Sequence, residues 1–142
     1  MPNLPEGTGR LLSISIPDFA TPGDLGSIFA MHMRLRVNGV RLTFTTDATA
    51  ATRHVTFYIQ SIQYRSPTVI ANVTQTAGLT RQYDFAIGNP ATPVLVSSLL
   101  ACNLPHHIYA EGSMGFYTTT LNIQAGDAFT LVYVDGEQWI EP

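Results

Sequence analysis

Apolar and polar positions alternate with a period of two along most of the chain, the mark of strands that bury one face. Leu12, Ile14 and Ile16 alternate with Ser13 and Ser15 until Pro17, and Met33, Leu35 and Val37 alternate with Arg34 and Arg36 until Asn38-Gly39. Beyond that pair Val40, Leu42 and Phe44 continue the stripe in the opposite phase, which fits either a tight type I′ hairpin or a bulge in one long strand. Further stripes run through Val55, Phe57 and Ile59, through Val69, Ala71 and Val73, and through Tyr83, Phe85 and Ile87. Near the C-terminus Tyr117, Thr119, Leu121 and Ile123 alternate up to a turn at Ala125-Gly126-Asp127. Phe129, Leu131 and Tyr133 then lead to a second turn signal at Asp135-Gly136. The denser run Val94 to Leu100 reads as a buried strand or a short helical turn, and Glu111 to Gly115 as a hairpin turn.

No segment carries capped apolar positions at helical spacing, although Asp24 to Ala30 could make one helical turn. Gly, Pro, Asn or Asp punctuates the stripes every eight to twelve residues or so, which predicts about eight to ten short strands. With no helix to cover them, their apolar faces must bury one another. The fold expected is all-β, an antiparallel β-sandwich of jelly-roll-like form. A chain of 142 residues closes one core, so residues 1–10 are expected to form an extended arm and residues 11–142 a single domain.

Composition changes the picture at the surface. Charged residues make up only 12% of the chain, about half the roughly 25% usual for soluble domains, so Thr, Ser, Asn and Gln must cover much of the exterior. Such a surface is easily covered by a partner, because few charges need desolvating. All seven basic residues are arginine, and against ten acidic groups they leave a net charge of −3, which argues against a surface that tracks nucleic-acid phosphates. No apolar run reaches the roughly 18 residues that span a bilayer, and residues 1–9 lack the basic and apolar parts of a secretory signal. Folding in a cytoplasm, without membrane insertion, is the expectation.

Reactive constellations are missing from the sequence. His106 and His107 are adjacent, so on a strand they leave on opposite faces, and none of the four histidines forms an H-x-H or H-x-x-x-H pair. Ser113 is not in a nucleophile-elbow spacing, since Gly112 directly precedes it. Cys102 stands alone and reads as a buried thiol. The carboxylates Asp84, Glu111, Asp127, Asp135 and Glu137 are scattered, and no phosphate-binding loop is present. No catalytic residue, metal ligand or cofactor is expected.

The segment Arg41 to Arg53, containing Thr45-Thr46-Asp47-Ala48 and running into the strand His54 to Gln60, resembles small structural proteins of tailed bacteriophages. Leu104-Pro105, Thr118-Thr119-Thr120-Leu121, Ala125-Gly126-Asp127 and a last strand ending near Trp139 are similar too. The resemblance covers roughly two thirds of the chain and implies a jelly-roll virion protein, foremost a head cement or decoration protein. It further implies a homo-oligomer, dimer or trimer, on the capsid exterior, with the major capsid protein as partner. Contacts are expected first from the arm (Pro2, Leu4, Pro5, Arg10) and from Trp139. Tyr58, which lies in a polar phase, is a further candidate, whereas Tyr117 lies in an apolar stripe and reads as core. The alternatives are a tail or fibre domain that binds a receptor glycan, for which exposed tyrosines would serve, and a small β-barrel enzyme.

Overall fold

A computed structural model describes residues 10–16, 23–30, 33–61, 69–71, 73–104, 108–110 and 113–140. These form eleven strands and no helix: β1 (Arg10–Ile16), β2 (Gly26–Ala30), β3 (Met33–Thr45), β4 (His54–Ser61), β5 (Val69–Ile70), β6 (Thr80–Ala86), β7 (Val94–Val96), β8 (Leu99–Asn103), β9 (Ile108–Ala110), β10 (Ser113–Leu121) and β11 (Ala128–Ile140). Seven build a large sheet in the order β1-β11-β3-β6-β8-β7, with β9 also on β3, and four build a smaller one in the order β2-β10-β4-β5. The sandwich read from the sequence is what the strands form. Every strand pair is antiparallel except β6 and β8, so the large sheet is mixed, the smaller one is antiparallel throughout, and the fold differs in that pair from a wholly antiparallel jelly roll.

The two inner faces meet in one apolar core. From the large sheet come Leu35, Val37, Val40, Leu42, Phe44, Phe85, Leu100, Phe129, Val132 and Val134, and from the smaller one Val55, Phe57, Ile59 and Phe116. Phe57 and Phe85 stack across the gap between sheets with ring centroids 5.1 Å apart. Aromatic pairs at that separation add to the gain from burial itself.

Several phase changes have identifiable causes. Val37 pairs with Gly136 and Gly39 with Asp135, so Asn38 is an extra residue and β3 runs on through a bulge rather than turning back. On β11 the register shifts between Phe129 and Val132, two residues standing opposite Thr43 alone. That bulge reverses the expected stripe: Phe129, Val132 and Val134 are buried, while Tyr133 faces out. Asp135-Gly136 makes no turn either. A Cβ on Gly136 would lie 2.6 Å from the Arg36 carbonyl oxygen, so glycine serves a close approach between strands.

Four other expectations are corrected. Asp24 to Ala30 is not helical, since β2 occupies Gly26–Ala30. The Asp24 carboxylate accepts hydrogen bonds from the Thr118 hydroxyl (3.0 Å), the Thr120 hydroxyl (2.7 Å) and the Thr120 amide (3.1 Å). These bonds allow two threonines to face inward, so on β10 it is Phe116, Thr118 and Thr120 that are buried, and Tyr117, Thr119 and Leu121 that face out. Ser113 to Gly115 belong to β10, and β9 pairs in the large sheet while β10 pairs in the smaller one, so β9 and β10 are not the two arms of a hairpin; Glu111 and Gly112 lie outside the described residues. Val94 to Leu100 is a hairpin at the edge of the large sheet, and most of its apolar side chains are exposed.

Candidate functional site

The two outer faces differ in chemistry. Arg36 pairs with Glu137, and Arg41 lies between Asp84 (3.7 Å) and Asp135 (3.4 Å), so the outside of the large sheet carries a lattice of paired charges. The four strands of the smaller sheet contain no Asp, Glu, Lys or Arg at all. On the outward positions of β4 and β10, His54 pairs with Leu121, Thr56 with Thr119, Tyr58 with Tyr117 and Gln60 with Gly115. Antiparallel partners share a face, so these side chains form one contiguous uncharged surface.

Tyr58 and Tyr117 stack at its centre, ring centroids 5.4 Å apart and planes within 12°. Gly115 makes room for them. A Cβ on Gly115 would fall 2.2 Å from the Tyr117 ring, and one on Gly26, the β2 partner of Tyr117, would lie 3.7 Å from it. The Tyr117 ring therefore leans over the Gly115 backbone, where any side chain would collide with it, and rests at ordinary contact distance from Gly26. Around this pair Thr119 and Gln60 are exposed, and Leu121 is 60% exposed. The surface offers hydroxyls, an amide, the His54 imidazole and two broad rings, and none of its paired positions carries Asp, Glu, Lys or Arg.

The contact residues expected from the sequence do not converge on this face. Tyr58 lies at its centre, and Tyr117, expected in the core, lies beside it. Arg10 and Trp139 are backbone neighbours at the other sheet, Arg10 opposite Gln138 and Trp139 opposite Arg34, and their side chains lie outside the described residues. Pro2, Leu4 and Pro5 also lie outside the described residues, as do His106 and His107. Thr56 was missed because it sits in the polar phase of β4, and Thr119 and Leu121 because they fall in the stripe with Tyr117 that reads as the inward face of β10. The signal that finds them is the run of uncharged residues in His54–Ser61 and Ser113–Leu121, taken together as paired strands.

The motifs behind the phage resemblance occupy a different place. Arg53 is fully buried, and all five of its N–H donors are satisfied. Its Nε and Nη2 donate to the Asp127 carboxylate at 2.9 and 3.0 Å, Nη2 also donates to Asp47 Oδ1 at 2.9 Å, and Nη1 donates to the carbonyls of Thr49 and Ala51. Asp127 further accepts the backbone N–H of Asp47 and of Gln124, and the Arg53 backbone pairs with that of Gln75. The guanidinium thus ties the β3–β4 connection to the β10–β11 connection, and the Arg53 backbone holds the Gln75 segment beside them. This cluster is an internal lock, not a surface.

Burial pushes the Asp127 carboxyl upward, but the Arg53 hydrogen bonds, the two backbone N–H groups and the Arg53 charge outweigh it and hold the group below its ordinary value. A depressed carboxyl contributes stability that is present above the unfolded value, about 3.9 for Asp, and is lost as pH falls through the folded value. Urea midpoints are therefore expected to fall below about pH 4, and Asp127→Asn to start lower at neutral pH with a shallower acid slope. Parallel slopes for the two proteins would remove Asp127 as the cause.

Cys102 is buried, and desolvation, followed by the nearby Asp84 carboxylate, raises its thiol to about 11, so the nucleophilic thiolate is scarce at neutral pH. Among the described residues no three His, Cys, Asp or Glu side chains gather as metal ligands, and no helix is long and apolar enough to cross a membrane. No protein-family model, curated protein or solved structure matches the chain.

Proposed function

We propose that this chain is a non-catalytic assembly protein that docks the outer face of its four-stranded sheet on another protein, and that it acts as a cement or decoration protein on the exterior of a tailed-phage capsid. One observation carries the docking half: the strands of the smaller sheet contain no Asp, Glu, Lys or Arg, whereas ion pairs join β3, β6 and β11 on the larger sheet. Covering Thr, Gln and Tyr side chains forfeits little hydration, and tyrosine supplies wide contact area while losing few rotatable bonds. The partner's identity rests on the sequence resemblance alone. Because Asp47, Arg53 and Asp127 are occupied inside the fold, that resemblance speaks for a shared scaffold, and the outer face must supply the recognition.

The test is co-sedimentation with phage capsids that lack the protein, comparing the wild type with Thr119→Glu and with Ser13→Glu on the large sheet. Saturable binding at a fixed ratio to the capsid subunit is expected for the wild type and for Ser13→Glu. Thr119→Glu would bury an unpaired charge at the contact, costing about 2 kcal/mol or more, a loss of roughly thirtyfold in affinity. Equal binding by all three proteins would remove the four-stranded face from the proposal. No binding by any would remove the capsid and direct the same Tyr58–Tyr117 platform to a glycan-binding screen.

A further inference from the structure

The edge hairpin of the large sheet is a second surface, of different chemistry. β7 and β8 pair around the two-residue loop Ser97-Ser98, and among the described residues no strand pairs with the outer side of β7. Val94, Leu95, Val96 and Leu99 are 42%, 42%, 65% and 39% exposed. Val94, Val96 and Leu99 share the outward face, and Leu95 takes the other. Exposed edge strands normally carry charges that discourage pairing. None lies here: the sequence has no Asp, Glu, Lys or Arg between Asp84 and Glu111.

We propose that β7 pairs with β7 of a second copy, antiparallel about a two-fold axis at Leu95, so that the large sheets of two protomers become one continuous sheet. Three features favour this occupant. Hydrogen-bonding direction alternates along a strand, and since Val96 and Leu99 flank the hairpin loop and bond to each other, Leu95 directs its N–H and C=O outward. Two such residues opposite one another exchange both bonds. The edge is also short, bounded by Pro93, which has no N–H, and by Ser97 at φ 55°, which turns the chain away. A longer foreign strand would find no donors past either limit, whereas a second β7 ends where the first does. Finally the register places Val94 against Val96 of the other copy and Leu95 against Leu95, with no charge on either side to repel or to be left unpaired. The small contact makes the pairing weak and concentration-dependent. It stands independently of what the four-stranded face binds.

Sedimentation equilibrium over a wide concentration range tests the proposal, together with two cysteine variants under mild oxidation. A reversible dimer is expected for the wild type, and a monomer with unchanged thermal midpoint for Val96→Lys. In the proposed register Leu95 Cα atoms are about 5.5 Å apart, within disulfide reach, while Val96 Cα atoms are about 8 Å apart, beyond it. Leu95→Cys is therefore expected to form a covalent dimer readily and Val96→Cys to lag at least tenfold. Buried Cys102 makes the wild type the blank. A wild type that stays monomeric, a trimer, a dimer unaffected by Val96→Lys, or equal cross-linking at both positions would each overturn it.

Discussion

Replacing Arg53 with Met is expected to lower stability by about 3–5 kcal/mol, because it leaves the Asp127 carboxylate buried without its partner. For a chain of this length that is a fall on the order of 10–20 °C in thermal midpoint. The size of the effect comes from what Arg53 joins. Its guanidinium holds Asp127 at the entrance to β11 and, within the β3–β4 connection, Asp47 and the carbonyls of Thr49 and Ala51, so two connections loosen together. Arg53→Lys keeps the charge but replaces a planar fork of five donors with three donors at one point, and is expected to recover only part of the loss. Urea denaturation of the three proteins at pH 7 measures both. A change below about 1 kcal/mol for Arg53→Met would mean that the cluster is as weak as an exposed ion pair.

The pattern of strands was legible in the sequence, but the assignment of faces failed where an unmarked bulge or a buried polar contact overrode the alternation. Leu35, Val37, Val55, Phe57, Ile59, Tyr83 and Phe85 are all buried as their alternation implied. Alternation fails at Thr130-Leu131 because one extra residue flips every later side chain without interrupting the strand. On β10 it fails for another reason. Asp24 satisfies the hydroxyls of Thr118 and Thr120, so polar residues occupy inward positions, and Tyr117 is released to the surface. Asp24 lies more than ninety residues from both threonines, too far for local spacing to reveal the contact.

Glycine and apolar runs misled in the same way. Asp135-Gly136 has the composition of a turn, yet Gly136 is glycine because the Arg36 carbonyl approaches it across β3. Val94 to Leu100 has the composition of a buried strand, yet it forms an edge hairpin. Composition reports that a segment avoids water. It does not report whether the cover is the same chain or another. The candidate docking face was hidden for two reasons: Thr56 and Tyr58 sit in the polar phase of β4, and Tyr117, Thr119 and Leu121 sit in a stripe that reads as the buried face of β10.

Neighbouring residues on β4 separate fold from function. Phe57 points inward, is completely buried, and stacks on Phe85 of the opposite sheet and on Phe116 at 6.3 Å within its own. Phe57→Ala is expected to cost about 3–5 kcal/mol, combining the lost transfer of the ring with a cavity between two sheets whose strands are too constrained to close it. Phe57→Leu fills most of that space and should cost clearly less. Tyr58 points outward, so Tyr58→Lys is expected to shift stability by about 1 kcal/mol, mainly the lost stacking on Tyr117, while it places a charge in the proposed contact. Denaturation and capsid co-sedimentation, both run well below the midpoint of the weaker variant, should give opposite orders. Phe57→Ala is expected to unfold easily and bind normally, and Tyr58→Lys to fold normally and bind poorly. If Phe57→Ala, still folded, loses binding as fully as Tyr58→Lys, the two faces of β4 are not separable, and the partner reads the shape of the whole sandwich instead of one uncharged surface.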